Sequence, residues 1–228
     1  MGKVEETKEK TESENRIETK VNRELLNLIR QANISGLRKI EKGSILKNKR
    51  FRETIEKWYG KKIPHVVAES DLILVFEDYN SLADDSIISA IEIKFFKENP
   101  RLDKELRQAY REFGQPLRDL IFGFDTAILW HIFSKEINEE KIKNYSQLLE
   151  DTIRKLNLPI IYIATIFLQN KFRIFQPWDI DYCDINDTIR CLKEFFENKR
   201  NPLLNIKETF DESIKSYRGA IKVALGIP

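Results

Sequence analysis

Hydrophobic residues recur most regularly in two runs, 71–76 and 87–96, joined by a polar stretch at 77–86. Read with a period of two, the second run sets Ile87, Ser89, Ile91, Ile93 and Phe95 on one face. The other face carries Ile88, Ala90, Glu92, Lys94 and Phe96. The first run divides into Asp71, Ile73 and Val75 against Leu72, Leu74 and Phe76. A half-solvated strand is polar along one whole face, and neither run is. Both are expected as central strands covered on both sides.

Around them the pattern is mostly helical. Val21, Leu25, Leu28 and Ile29 form one apolar stripe, which predicts a helix over 21–32 that packs on the domain or on a partner copy. Ser35-Gly36 ends it, and Lys42-Gly43-Ser44 is a second break. A helix is expected from about Ile45 to Tyr59, stopping at Gly60, and then a short strand over 63–68. Beyond Asn99-Pro100 a helix over 102–120 is expected, kinked or split by Gly114 and Pro116. Next come a strand at 124–133, a helix at 146–156, and a hairpin of 160–168 and 172–175 turning at 169–171. An acidic loop at 181–187 and two helices, 187–198 and 206–225, complete the chain. Residues 1–20 alternate Glu, Lys, Thr and Ser and predict a disordered or frayed tail, leaving 21–228 as a single α/β domain.

Charge inside the two central runs needs a partner. Burying it unpaired is costly, so Asp71, Glu92 and Lys94 must pair with one another or bind a cation. Asp71 opens one strand and Glu92-Ile93-Lys94 closes its neighbour, so two carboxylates and one ammonium are expected at one place. Carboxylate oxygens are hard ligands that suit Mg²⁺. A lysine beside them orients or deprotonates a water, or neutralises charge developing on a phosphate. The plain alternative is a buried salt bridge of Lys94 with Glu92 or Asp71.

The arrangement of Asp71, a spacer and Glu92-x-Lys94 on the next strand resembles the PD-(D/E)XK nuclease superfamily. The resemblance spans about Ile45 to Phe133, although Ser70 stands where the motif's proline would be. The order helix, three strands, helix, strand matches that superfamily's restriction endonuclease-like αβββαβ core, here with a mixed central sheet and extra helices at both ends. The resemblance implies an Mg²⁺-dependent DNA endonuclease, with Mn²⁺ as a substitute ion. Asp71, Glu92 and the carbonyl of Ile93 would be the metal ligands, and Lys94 would position the attacking water. It also implies a further carboxylate from a helix before the first strand, for which Glu53, Glu56 and Glu69 are candidates, and a glutamine on the next helix, Gln108. Within the superfamily, small size points to Holliday junction resolvases acting on branched DNA in recombination or repair. A non-catalytic relative that binds nucleic acid or scaffolds a complex is the alternative, and a homodimer through 21–32 is a further expectation.

Composition narrows this modestly. The chain of 228 residues is 41% hydrophobic with 14 Phe, enough for one packed core. Two cysteines and two histidines exclude a disulfide framework and a His-rich metal site. No Walker loop, dinucleotide fingerprint or nucleophile elbow occurs. The charged N-terminus does not read as a signal peptide, and the longest apolar run, 158–168, is too short to span a bilayer, so a soluble cytoplasmic protein is expected. Net charge is only +2, but residues 38–62 hold ten basic side chains against three acidic ones. Such a cluster is a footprint for DNA phosphates or an ordinary solvated surface.

Overall fold

The two doubly apolar runs pair with each other near the middle of a seven-stranded mixed sheet. The computed structural model describes residues 19–47, 53, 70–78, 86–108, 112–196, 198–205 and 210–227. Residues 19–31 form helix α1, followed by strand β1 (Leu37–Lys42), β2 (Leu72–Glu77) and β3 (Ser86–Phe96). Two short helices, α2 (Leu102–Gln108) and α3 (Gly114–Ile121), lead to β4 (Thr126–Phe133). Helix α4 (Glu139–Lys155) precedes the hairpin of β5 (Ile160–Leu168) and β6 (Lys171–Gln176). Strand β7 (Ile180–Cys183), α5 (Ile185–Lys193) and α6 (Phe210–Leu225) follow.

Strands lie in sequence order across the sheet. β1, β2 and β3 form an antiparallel meander, β4 and β5 run parallel to β3, and β6 and β7 return antiparallel. Helices cover both faces. On one, Leu72, Leu74, Ile91 and Ile93 pack with Trp130 and Ile163 beneath Leu25 and Ile29 of α1 and Ile189 of α5. On the other, Ile73, Val75, Ile88 and Ala90 meet Ile221 and Leu225 of α6, while Leu129, Phe133 and Tyr162 meet α2 and α4. Burial on both faces explains why β2 and β3 read as nearly continuous apolar runs.

Several boundaries differ from the sequence pattern, each for a physical reason. The first described strand is β1, which the pattern did not predict; the strand expected at 63–68 lies outside the described residues. β1 (LRKIEK) is an edge strand whose four charged side chains are exposed or half-buried, so it has no apolar alternation to detect. Of the helix expected over 45–59, residues 45–47 belong to a 3₁₀ turn, Gly43–Lys47, and Glu53 is helical; the others lie outside the described residues. The predicted 102–120 helix is split, with α3 opening at Gly114 and carrying Pro116 in its first turn, where a missing N–H is tolerated. α4 begins seven residues ahead of the predicted start, because Asn138 caps it by accepting from the N–H groups of Glu140 and Lys141 at 2.8 and 3.3 Å. Part of the acidic loop at 181–187 is strand β7, and Asp184 caps α5 by accepting from the N–H of Asp187 at 2.9 Å. The hairpin turns where the pattern predicts, with Gln169 and Asn170 both at positive φ, the conformation of tight two-residue turns. Of the predicted tail, residues 19 and 20 are helical and the rest lies outside the described residues.

The chain passes close to itself beside the start of β2. The N–H of Gly43 donates to the carbonyl of Asp71 at 3.2 Å, and a Cβ on Gly43 would lie 1.6 Å from the carbonyl oxygen of Ser70. Backbone cannot yield like a flexible side chain, so Gly43→Ala is expected to displace this crossing. Overpacking of this kind costs about 1–3 kcal/mol, a fall of roughly 2–12 °C in melting temperature for a domain of this size. An unchanged melt of Gly43→Ala would show that the crossing adjusts freely.

Candidate active site

The crossing places Asp71 at the mouth of β2, directly beside β3. The last registered pair of the two strands is Leu72 with Ile91, and β3 continues five residues beyond it to Phe96. Along that continuation the flank of β3 toward β2 has lost its strand partner, and its backbone N–H groups need other acceptors. Asp71 supplies one. Its Oδ2 accepts from the N–H of Ile93 at 2.8 Å, while its Oδ1 accepts from Nδ2 of Asn22 at 2.8 Å. Both oxygens of the carboxylate are thereby oriented.

One register position past Leu72 and Ile91, Glu92 stands across from Asp71, and Lys94 follows on the same face of β3. All three line one cleft of about 380 Å³. α1 contributes Asn22 and Arg23 to its wall, β1 contributes Lys42, and α3 contributes Gln115. Glu92 is buried, at 1% exposure. Among the described residues Arg118 places its Nη2 3.9 Å from Oε1, too long for a hydrogen bond. Lys94 reaches outward, its Nζ 3.6 Å from Oε2 of Glu112.

The electrostatics follow from crowding three acids into a dry place. Burial pushes the Glu92 carboxyl up to about 9, with further elevation by the charges of Asp119 and Asp71, against weaker lowering by Lys94 and Arg118. Asp119, on α3 and fully buried, is raised to about 7, mainly by burial. Asp71 is raised by burial too, opposed by the Ile93 N–H, by Lys94 and by Asn22. Beside Lys94 in the parallel register is His131, wholly buried against Tyr145 and Tyr162. Burial drives its imidazole down to about 3, so it is neutral.

Unsatisfied buried atoms gather here. Among the described residues the buried side-chain polar atoms without a hydrogen-bond partner include Oε1 of Glu92, both carboxylate oxygens of Asp119, and Nε and Nη2 of Arg118. Oδ1 of Asn22, Oγ of Ser70, Oε1 of Gln115 and Nε2 of His131 complete the set. Ser70 does lie close enough to Asp119 to favour its ionised form, without well-formed hydrogen-bond geometry. Every one of these belongs to the cleft wall, to the layer just behind it, or to the strand beside Lys94. Elsewhere the buried polar groups are paired, as with Ser89 and Thr126 at 2.6 Å and Trp130 and Thr165 at 2.9 Å. Orphaned polar atoms are rare in folded proteins, and their concentration at one place makes this cleft the candidate site.

The candidates are therefore distributed unevenly. Asp71, Glu92 and Lys94 come together, and Ile93 joins them through its backbone N–H. Its carbonyl lies on the same flank of the strand, as paired N–H and C=O groups of one residue do. Glu53 is exposed and is not among the residues lining the cleft. Gln108 is exposed at the end of α2; it is Gln115, seven residues on, that lines the cleft. Glu56 and Glu69 lie outside the described residues. Asn22, Gln115, Arg118 and Asp119 escaped the sequence reading, yet a signal was there. Asn22 shares the i, i+3, i+4, i+7 stripe with Leu25, Leu26 and Ile29, and Asp119 falls beside Pro116 and Leu120 on the buried side of α3. A polar residue inside an apolar stripe is the mark both carry.

The donor set suits a hard divalent cation. Glu92 offers a buried oxygen without a partner, and Asp71 and the Ile93 carbonyl adjoin it. Among the described residues no group of three or more His, Cys, Asp or Glu side chains forms a ready-made cage. Two carboxylates and a carbonyl would leave the remaining positions to water, which is how Mg²⁺ is usually held. Compared with known proteins, the chain matches no family model, and no curated protein sequence matches it.

Proposed function

We propose that the protein is a Mg²⁺-dependent DNA endonuclease with a restriction endonuclease-like core. One observation carries the reading: Asp71 and Glu92 face each other across the end of two paired central strands, with Lys94 two residues along, and all three line a single cleft. Topology supports it, since α1, the β1–β2–β3 meander, α2–α3 and a parallel β4 follow in the αβββαβ order.

Asp71, Glu92 and the Ile93 carbonyl would hold the ion. Bound there, Mg²⁺ supplies Lewis acidity toward a phosphate oxygen and lowers the pKa of a water. Lys94 reaches the cleft from the strand that carries Glu92, so its ammonium offsets charge developing on the scissile phosphate and orients the nucleophile. Asp71, with both oxygens held, keeps the acidic wall rigid. Arg118 stands behind Glu92 and moderates its charge. DNA is the proposed partner, and Arg23 and Lys42 at the cleft wall are its phosphate contacts. No helix among the described residues is long and apolar enough to cross a membrane.

The decisive assay incubates the purified protein with branched, linear duplex and single-stranded DNA in Mg²⁺, Mn²⁺, Ca²⁺ or EDTA. Cleavage in Mg²⁺ and Mn²⁺, with EDTA abolishing it, is expected, branched DNA being the first substrate. A second reading, a nucleic-acid-binding protein without catalysis, is favoured by one feature: the α1 side chain bonded to Asp71 is an amide, Asn22, and not a carboxylate. DNA binding with no cleavage under any metal selects that reading.

Either way the binding should be salt-dependent. Each phosphate contact contributes about 0.9 to the slope of log affinity against log salt on duplex DNA. Arg23→Ala and Lys42→Ala are each expected to flatten the slope by about that amount. Arg38 and Lys39 should matter less, being engaged with Glu77 at 3.3 Å and Glu41 at 3.5 Å. Unchanged slopes for Arg23→Ala and Lys42→Ala would remove the cleft wall from the DNA path.

A further inference from the structure

Asn22 is the only residue from outside the strands whose side chain is bonded to Asp71 among the contacts described above, and its geometry is constrained chemically. Nδ2 donates to Asp71 Oδ1 at 2.8 Å. The flipped amide would set oxygen against oxygen, so the orientation follows from the donor inventory. The amide oxygen that results is buried and accepts nothing among the described residues. An orphaned buried carbonyl is destabilising, and an apolar side chain of the same shape would avoid that cost. Val21, Leu25, Leu26 and Ile29 already anchor α1 to the sheet, so the amide is not needed to dock the helix. What it uniquely does is hold one oxygen of Asp71 while the Ile93 N–H holds the other. A carboxylate at this place would instead repel Asp71.

From this geometry we propose that Asn22 is a positioning residue that presets Asp71 for a divalent cation and so couples α1 to the metal-binding wall of the cleft. The inference rests on the nuclease reading for the identity of the ligand, a hard divalent cation, and on the hydrogen bonds alone for the residue's role. Partners that orient ligating carboxylates typically change metal affinity by 10–100-fold when removed.

The test is Mn²⁺ binding to the full chain, measured by titration calorimetry on wild type, Asp71→Asn, Asn22→Leu and Asn22→Ala, with thermal melts in EDTA alongside. Asn22→Leu keeps the volume and removes the donor. It is expected to weaken Mn²⁺ binding by 10-fold or more while melting at or above the wild-type temperature. In cleavage assays the same variant should lower kcat at saturating DNA with KM for DNA little changed. A merely structural role predicts the reverse, a lower melt with intact Mn²⁺ affinity, and that result overturns the inference. Should Asn22→Leu not fold, Asn22→Ala is read by the same criteria. Wild type that binds Mn²⁺, with the binding lost in Asp71→Asn but retained within about threefold in both Asn22 variants, sinks this inference alone. Wild type that binds no Mn²⁺ sinks both the inference and the nuclease reading.

Discussion

Asp71→Asn and Glu92→Gln are each expected to lower Mg²⁺-dependent DNA cleavage by on the order of a thousandfold, without loss of the fold. Either change leaves a single carboxylate to hold a cation that dehydrates reluctantly and needs hard anionic oxygens. Shape is nearly conserved, so packing has no reason to fail. Stability should rise in Glu92→Gln, because the replaced group is a buried acid with an unpartnered oxygen. Lys94→Ala should spare metal binding and still depress the rate by about a hundredfold, because its role falls in the transition state. Glu53→Gln and Gln108→Ala, at positions away from the cleft, should keep activity within about twofold of wild type, the range of surface substitutions. Equal, EDTA-insensitive background from wild type and Glu92→Gln on every DNA tested would end the catalytic reading.

The second large effect is on stability against pH. In the fold Glu92 keeps its proton up to about 9, whereas an unfolded chain releases it near 4.5. Asp119 behaves alike between 3.8 and about 7. Within those intervals the folded protein binds more protons than the unfolded chain, so stability falls as pH rises. The penalty is absent below pH 4 and complete above pH 9. From pH 7 to 9 Asp119 completes the last part of its titration and Glu92 supplies most of a further loss of about 3 kcal/mol, roughly 6–12 °C in melting temperature. Calorimetric melts in EDTA at pH 5, 7 and 9 should show this decline in wild type. Glu92→Gln should flatten the upper half of the profile, and saturating Mn²⁺ should lift the wild-type melt most at high pH, since the ion binds the ionised carboxylates. A wild-type profile flat from pH 7 to 9, or one unchanged by Glu92→Gln, would refute this account of the buried acid.

How much of this was legible beforehand depended on what each residue had to satisfy. Asp71, Glu92 and Lys94 stood out because a strand apolar on both faces has no ordinary use for charge, and that conflict is visible in a period of two. β1 was invisible because an edge strand with charged side chains satisfies only its backbone, and pairing with β2 leaves no trace in hydrophobicity. β7 was hidden similarly, as an edge strand whose Asp181 and Tyr182 are exposed. Missing β1 left α1 out of the search for a helical contributor, although α1 lines the cleft; of the candidates at 45–59, Glu56 lies outside the described residues. Asn22 and Asp119 were hidden by helical phase: which polar residue on a stripe faces a cleft depends on where the helix docks, and docking is a tertiary event.

The cleft draws on α1, β1, β2, β3 and α3, and α1 joins it through an apolar stripe and the Asn22 hydrogen bond to Asp71. Release of that helix would strip Asn22 and Arg23 from the cleft and uncover the part of the core that Leu25, Leu26 and Ile29 fill. Were that helix to open while the sheet holds, the site would be lost by local opening ahead of global unfolding. A sample can keep its spectroscopic signature of a folded protein while the fraction able to act declines, so melting temperature is the wrong ruler for its functional endurance.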